Sequence, residues 1–254
     1  MVRFLMTAAR TLLLIADMGG YTDYMRTHRM SLAHAEVNTT RLLETVIDAA
    51  PDFDLIEIEG DAAFLAHRAD TLDGDAVVAL TLQAATQMHR AFHLERQYVA
   101  TNLCPCDGCN EATNLKLKFV AHVGEVATQT IRQRSKLVGI DVILVHRMLK
   151  SPVTVPEYVL LSEDLYRSSD STLPSPADEV VQDLEGVGPA RSYVMDVADL
   201  TGLLPPLPAP SLPGRVGRTL SVAGAGMPYM LGLRRRRHRA AVGCPLRRRP
   251  TTTD

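Results

Sequence analysis

Two aspartates carry the most pointed chemistry in this chain of 254 residues. Asp17 closes an apolar run over residues 11–16 and is followed by Met18-Gly19-Gly20. Asp61 lies 44 residues further on, after Glu57-Ile58-Glu59-Gly60. If the segments that carry them are neighbouring strands, both carboxylates converge on one edge of a sheet. Paired carboxylates offer the hard oxygen ligands that Mg²⁺ or Mn²⁺ takes, and such an ion bridges to substrate phosphates. Gly19 and Gly20 would let backbone N–H groups come close to those phosphates. The plainer alternative is that Asp17 caps a helix and Asp61 occupies a turn.

A second cluster is built of sulfur. Cys104-Pro105-Cys106-Asp107-Gly108-Cys109 puts three thiols into six residues, with Pro and Gly to turn the backbone. Three thiolates can close on one soft ion such as Zn²⁺, with His89, His93, Asp107, Cys244 or a partner chain supplying a fourth ligand. A redox-active pair and a reduced structural loop are the other readings. Among the eight histidines none falls into a Ser-His-Asp pattern that spacing can place. His122 reads as a satisfied strand residue. There is no Gly-x-Ser-x-Gly and no Walker-type loop.

These residues need elements to position them. The run 11–16 reads as a fully buried strand. A long helix is expected over about 23–50, with Leu32, Ala35, Leu42, Leu43, Val46 and Ile47 at spacings of three and four, and Pro51 stops it. Residues 53–58 and 62–66 form a hairpin around Gly60-Asp61. A second helix spans about 75–99. Residues 115–121 alternate as a strand, and 123–130 are expected to pair back with it. A third helix covers about 139–149. A short strand follows over 158–161, and Ser162 is placed to cap a short helix with Glu163 and Asp164 in its first turn. The order is that of a ferredoxin-like β-α-β-β-α-β core, so the fold class is α+β, with a mainly antiparallel sheet and helices packed on it.

Beyond about residue 170 the pattern weakens. A short acidic helix and a strand near 193–197 are expected within 177–203. Five of the fifteen prolines lie in 203–214. Residues 215–254 carry ten arginines and one acid, +9, against −11 for residues 1–214. The division read from this is a domain over 1–170, an acidic, Pro-rich extension over 171–214, and a disordered Arg-rich tail over 215–254. Contact of that tail with nucleic acid is the less favoured reading beside a solvated tail. No stretch approaches the roughly 20 apolar residues of a spanning helix. No secretory signal is legible at the N-terminus, and four cysteines suit a reducing cytoplasm.

Four segments together resemble the catalytic domain of class III nucleotide cyclases. Asp17-Met18-Gly19-Gly20-Tyr21-Thr22 is similar to their first metal-binding segment, and Gly60-Asp61-Ala62 to their second. His122-Val123-Gly124-Glu125-Val126 is similar to their His-x-Gly-x-Val strand. Gly139-Ile140-Asp141-Val142, followed by Arg147, resembles their third segment. The resemblance covers about residues 10–170. More narrowly, the chain resembles the bacterial cyclase-homology proteins of the DUF2652 type, which carry a Cys-x-Cys-x-x-Cys insert before the His-x-Gly strand.

The resemblance implies that Asp17 and Asp61 hold two divalent ions and that the backbone of Met18, Gly19, Gly20 and Tyr21 cradles phosphates. It implies that Arg147 reaches across a homodimer interface to an α-phosphate, and that Glu57 stands where guanylyl-type enzymes read guanine. Three positions depart from it. Ile143 replaces a hydrogen-bonding asparagine, Lys136 matches neither base-specifying class, and no phosphate-binding lysine is evident past the third helix. The expected function is a cyclase-like domain that binds a purine nucleoside triphosphate through Mg²⁺ or Mn²⁺ with weak or no turnover. The alternative is a regulatory or interaction protein that acts through the cysteine loop and basic tail.

Overall fold

The computed structural model describes residues 8–230, apart from 28–31, 104–106, 132–133, 172, 174–176 and 203. Strand β1 (Ala9–Gly19) lies inside the sheet, hydrogen-bonded on both sides. Leu12, Leu13, Leu14, Ile15 and Ala16 are all fully buried. A continuous apolar strand needs cover on both faces, and β1 has it. Leu12, Leu14, Ala16 and Met18 join the core under the long helices, whereas Leu13 and Ile15 join a second core on the opposite face.

After β1 come α1 (Tyr21–Thr27), α2 (Leu32–Asp48), β2 (Asp54–Glu59), β3 (Ala62–Arg68), α3 (Gly74–Ala100) and the short α4 (Asp107–Glu111). A 3₁₀ turn (Ala112–Asn114) leads into β4 (Lys116–Ile131), β5 (Arg134–Val138), α5 (Ile140–Met148), β6 (Tyr158–Ser162) and α6 (Glu163–Tyr166). The chain continues through β7 (Asp178–Leu184), β8 (Gly188–Asp196), α7 (Val197–Thr201) and α8 (Leu212–Met230). The strand order is β2-β3-β1-β4-β6-β8-β7, with β5 paired to β4, and only the β4–β6 pairing is parallel. The first four strands, in the order β2-β3-β1-β4, have the expected ferredoxin-like arrangement. Helices α2 and α3 cover one face and α5 the other. No helix among the described residues is long and apolar enough to cross a membrane.

Ser162 caps α6 as expected, accepting the Leu165 N–H at 3.2 Å, and Asp73 caps α3 by accepting the Ala76 N–H at 2.8 Å. The helix expected over 23–50 is present as α1 and α2, and residues 28–31 between them lie outside the described part. Three expectations are corrected. Residues 123–130 do not fold back on 115–121. They continue the same strand, β4, whose far end pairs with β5 instead. The segment 177–203, expected to hold a short acidic helix and a strand near 193–197, opens instead with a β7–β8 hairpin; β8 covers the expected strand and extends the main sheet alongside β6, and the short α7 with Asp199 comes after it rather than before. Finally, disorder was expected from residue 215, yet residues 215–230 belong to α8. Residues 231–254 lie outside the described part.

The chain of hydrogen bonds around His122 ties three elements together. Asp141 in α5 accepts from His122 Nε2 at 3.0 Å and from the Glu125 N–H at 2.8 Å. A carboxylate only accepts, so Nε2 carries the imidazole proton and Nδ1 receives the Ser162 hydroxyl, 2.8 Å away. Gly124 makes room for this: a Cβ there would lie 2.3 Å from the Asp141 Cγ and 2.7 Å from His122 Nε2. His122, Ser162 and Asp141 do form a Ser-His-Asp set, but His122 and Ser162 are buried and the serine oxygen is already a helix cap. The set is a strut between β4, β6 and α5 with no access for a substrate.

Helix α8 is held from outside itself. It contains Gly214, Gly217, Gly224 and Gly226, which are poor helix formers. Ser211 accepts the Gly214 N–H at its start, Thr219 Oγ1 accepts the Leu103 N–H, and Arg218 lies 5.6 Å over the Tyr98 ring. Arg218 also pairs with Glu95 of α3, whose side chain is 3% exposed. Burial raises the Glu95 pKa, and Arg218 and Arg41 pull it only partly back.

Two outcomes are expected. Arg218→Ala should destabilise the protein at pH 7 by about 1–3 kcal/mol, less than loss of a fully buried partner would cost, because Arg218 is itself 42% exposed. Since the fold holds the Glu95 proton more tightly than the unfolded chain does, ionisation is what costs stability, and the deficit should shrink as pH falls. Urea unfolding from pH 5 to 8, with Glu95→Gln as the rescuing second change, measures it. Gly124→Ala should cost roughly 1–3 kcal/mol by overpacking. Calorimetry of Gly124→Ala, Asp141→Ala and the double variant checks the cause, because the double change should cost less than the sum.

Candidate functional site

Asp17 continues the row of Leu13 and Ile15 on the α5 face of β1, at the point where the apolar cover ends. Ala62 of β3 stands opposite it on one side and Lys118 of β4 on the other. The Gly60-Asp61 turn is fastened to the end of β1, because Met18 N–H donates to the Asp61 carbonyl at 3.2 Å. Gly20 has φ +81°, a conformation that favours glycine, and it turns the chain from β1 into α1. So the two strand ends that carry Asp17 and Asp61 are adjacent, as their spacing suggested.

The electrostatics are those of crowded negative charge around one ammonium. Burial raises the Asp61 carboxyl, and the charge of Asp17 raises it further; its own backbone N–H and Lys118 act against this. Lys118 Nζ lies 3.0 Å from Asp17 Oδ2, with the two side chains 25% and 19% exposed. Burial works against the Lys118 charge, but the hydrogen bond and charge of Asp17 outweigh it and the pKa is raised. Tyr21 is raised by burial and then by Asp61, and Tyr158 by burial with Asp17 adding to it. Two carboxylates facing one ammonium leave room for further positive charge, which is the electrostatic requirement of a divalent cation site. Lys118 already stands against Asp17 as a counter-ion, so an incoming ion meets a competitor there.

The remaining sequence candidates fall elsewhere. Met18 places its side chain in the core, so only its backbone is available at the site. Glu57 is exposed on β2, beside the bulge between Leu55 and Glu57. Arg147 in α5 is bound to Glu185 of the β7–β8 connection at 2.8 Å. Ile143, on the same helix, is 48% exposed, and Lys136 faces Gln129 across the β4–β5 hairpin. Cys104 and Cys106 lie outside the described residues. Cys109 is buried and accepts from Asn102 Nδ2 at 3.2 Å. His89 and His93, expected as completing ligands of the cysteine loop, are turned to Glu157 instead.

An uncharacterized protein of Mycobacterium tuberculosis, Rv2561/Rv2562, is 36% identical over 197 residues, covering 77% of this chain and 90% of that one. The model of the family described as protein of unknown function (DUF2652) matches residues 39–158. The chain belongs to the DUF2652 family. Its fold is that of nucleotide cyclase catalytic domains. The adenylyl cyclase CyaB of P. aeruginosa aligns with a TM-score of 0.60 at 12% identity, over 75% of this chain and 95% of that one. The guanylyl cyclase Cya2 gives 0.58 at 15%, over 74% and 92%. The guanylate cyclase domain of RhGC from Catenaria anguillulae, solved with GTP, gives 0.54 at 15%, over 73% and 95%.

Lys118 and Tyr158 are the side chains beside Asp17 in this DUF2652 protein that sequence reasoning missed. Lys118 had a usable signal. It sits four residues before His122 in an alternating strand, hence on the face shared with Val120, and the only information lacking was the β1–β4 register.

The raised Asp61 carboxyl gives a signed expectation. The fold retains this proton better than the unfolded chain, so stability is lost as pH rises through the folded value. Asp61→Asn should raise the melting temperature of metal-free protein at pH 7 by about 1–3 °C and should abolish any further rise on adding Mn²⁺. Scanning calorimetry with and without Mn²⁺ decides; a lower melting temperature for the metal-free variant would mean that the Asp61 charge stabilises the fold.

Proposed function

We propose that this DUF2652 protein is a cyclase-like domain that binds a purine nucleoside triphosphate with Mg²⁺ or Mn²⁺ and turns it over slowly or not at all. The observation that carries this reading is the pairing of Asp17 with Asp61 beside the Gly19-Gly20 turn, with Asp61 held against ionisation by burial and by Asp17. In this reading Asp17 and Asp61 hold the metal, and the backbone from Met18 to Tyr21 lies along the phosphates. When bound, the ion would neutralise phosphate charge and favour ionisation of a ribose hydroxyl.

The chain's own residues set what happens next. Lys118 shares Asp17 with any ion, which lowers metal affinity and keeps a positive charge beside the phosphates in its absence. Glu57, exposed on β2, is the acceptor that favours guanine over adenine through N1–H and the 2-amino group. Arg147 would serve the α-phosphate of a partner in a homodimer only after releasing Glu185. Ile143 offers no donor where the cyclase resemblance calls for asparagine. Loss of one such donor typically costs about 10²–10³ in rate, and this supports weak turnover.

The test is calorimetric titration of GTP and ATP with Mn²⁺, beside a radiolabelled turnover assay. Binding is expected for the wild type, with GTP the tighter ligand, and should be lost in Asp17→Ala. Turnover should be slow and should rise in Ile143→Asn. Absence of nucleotide binding sinks the reading, and fast cyclisation by the wild type sinks its second half.

A further inference from the structure

Helix α3 carries His89 and His93 four residues apart, hence on one face and one turn removed. Their rings lie 4.2 Å apart between centroids, and both turn their Nε2 atoms to Glu157, the residue just before β6. His93 Nε2 donates to Glu157 Oε1 at 2.7 Å. His89 Nε2 stands 3.5 Å from Oε2 and is buried without a hydrogen bond. The carboxylate is fixed from behind by the Leu117 N–H, 2.9 Å from Oε1. The three side chains are 14%, 11% and 17% exposed. Glu157 faces α3, so this cluster is across the sheet from Asp17, which faces α5.

We propose that His89, His93 and Glu157 form a Zn²⁺ site, independent of both the Asp17–Asp61 pair and the cysteine loop. Two imidazoles and one carboxylate make a borderline donor set that suits Zn²⁺ and leaves a fourth position for water. The donor atoms all lie within 4.8 Å of one another. At Zn–N and Zn–O bonds of about 2.0–2.2 Å a tetrahedral edge is about 3.3–3.5 Å. His89 Nε2 already stands at that length from Oε2, whereas His93 Nε2, 2.7 Å from Oε1, would have to move out by about 0.6–0.8 Å. His89 Nε2, buried and with only the 3.5 Å contact to Oε2 in the metal-free fold, is the donor that this arrangement draws in.

Burial pushes the His93 imidazole down toward its neutral form, more than Glu157 pulls it up. Burial alone would raise Glu157, but the two imidazoles and the Leu117 N–H outweigh it and hold the carboxyl well below its usual range. Neutral imidazole and ionised carboxylate are the forms that ligate. Arg96 is the nearby positive charge; it donates to the Thr113 and Leu115 carbonyls at 3.0 and 2.6 Å, and Glu157 attracts it from a distance. The Leu117 N–H takes the outer-shell role of orienting the ligand. Bound Zn²⁺ would fasten α3 to the start of β6 and, through Leu117, to the start of β4.

The experiment uses the full chain, stripped with chelator and titrated with Zn²⁺ in millimolar Mg²⁺ against a chromophoric competitor. One equivalent should bind, and the melting temperature should rise by several degrees. His89→Ala is the decisive variant, read against its own metal-free melting temperature because the His89 ring is buried against His93 and stands 3.5 Å from Glu157. Its Zn²⁺ affinity should fall at least about tenfold and its thermal shift with Zn²⁺ should disappear. Binding should persist in Cys104→Ser/Cys106→Ser, and Co²⁺ should give visible bands without sulfur charge transfer in the near ultraviolet. Absence of stoichiometric binding, binding unchanged by His89→Ala, or binding lost with the two thiols would each overturn the proposal.

Discussion

A strand that is apolar on both faces can persist only between two covers, and β1 imposes that condition on the whole molecule. With Leu12 to Ala16 fully buried, the sheet must carry helices on either side. The chain supplies α2 and α3 for one face and α5 for the other. Polar chemistry can enter such a strand only where its cover stops, at Asp17 and the glycines after it. The β2–β3 turn reaches the same place because β3 runs antiparallel beside β1, and the Met18–Asp61 backbone bond fastens the two ends. The adjacency of the two strand ends is therefore a consequence of strand order rather than of any local signal.

The two ends of the cyclase-like arrangement differ in their preparation for chemistry. Asp17 and Asp61 form a crowded negative pair with a single ammonium beside it. On α5, by contrast, Ile143 presents methyl groups to solvent and Arg147 is occupied by Glu185. That glutamate belongs to the β7–β8 connection, so a hairpin at the far edge of the sheet restrains a residue of α5. Electrostatic strain is thus concentrated at the strand ends and relieved on the helix.

Much of this was legible in the residues because the signals were local. The apolar run of β1, the Gly60-Asp61 turn, the spacing along α2 and the Ser162 cap each follow from neighbours in sequence. The misses share a cause: they were decided at long range. Residues 123–130 alternate equally well as a returning strand or as a continuation, and only the partner β5 selects the latter. The β7–β8 hairpin is acidic because its outer edge faces solvent, which concealed its period of two. Helix α8 is glycine-rich and draws its order from Glu95, Tyr98 and Leu103, which no local rule foresees. Lys118 and the His89–His93–Glu157 cluster likewise needed the register of β4 and the position of β6.

Strand β4 joins these places in a further way. It is one uninterrupted element from Lys116 to Ile131, gripped by β1 and β6 over its first part and paired with β5 toward its tip. At roughly 3.3 Å per residue, Lys118 and Ile131 are about 40 Å apart along it. Its inner end carries the ammonium beside Asp17 and is stitched to β1 residue by residue, whereas the five residues from Ala127 to Ile131 pair with β5 alone among the described strands. One strand thus serves both as a fixed wall of the carboxylate pair and as an overhang beyond the sheet.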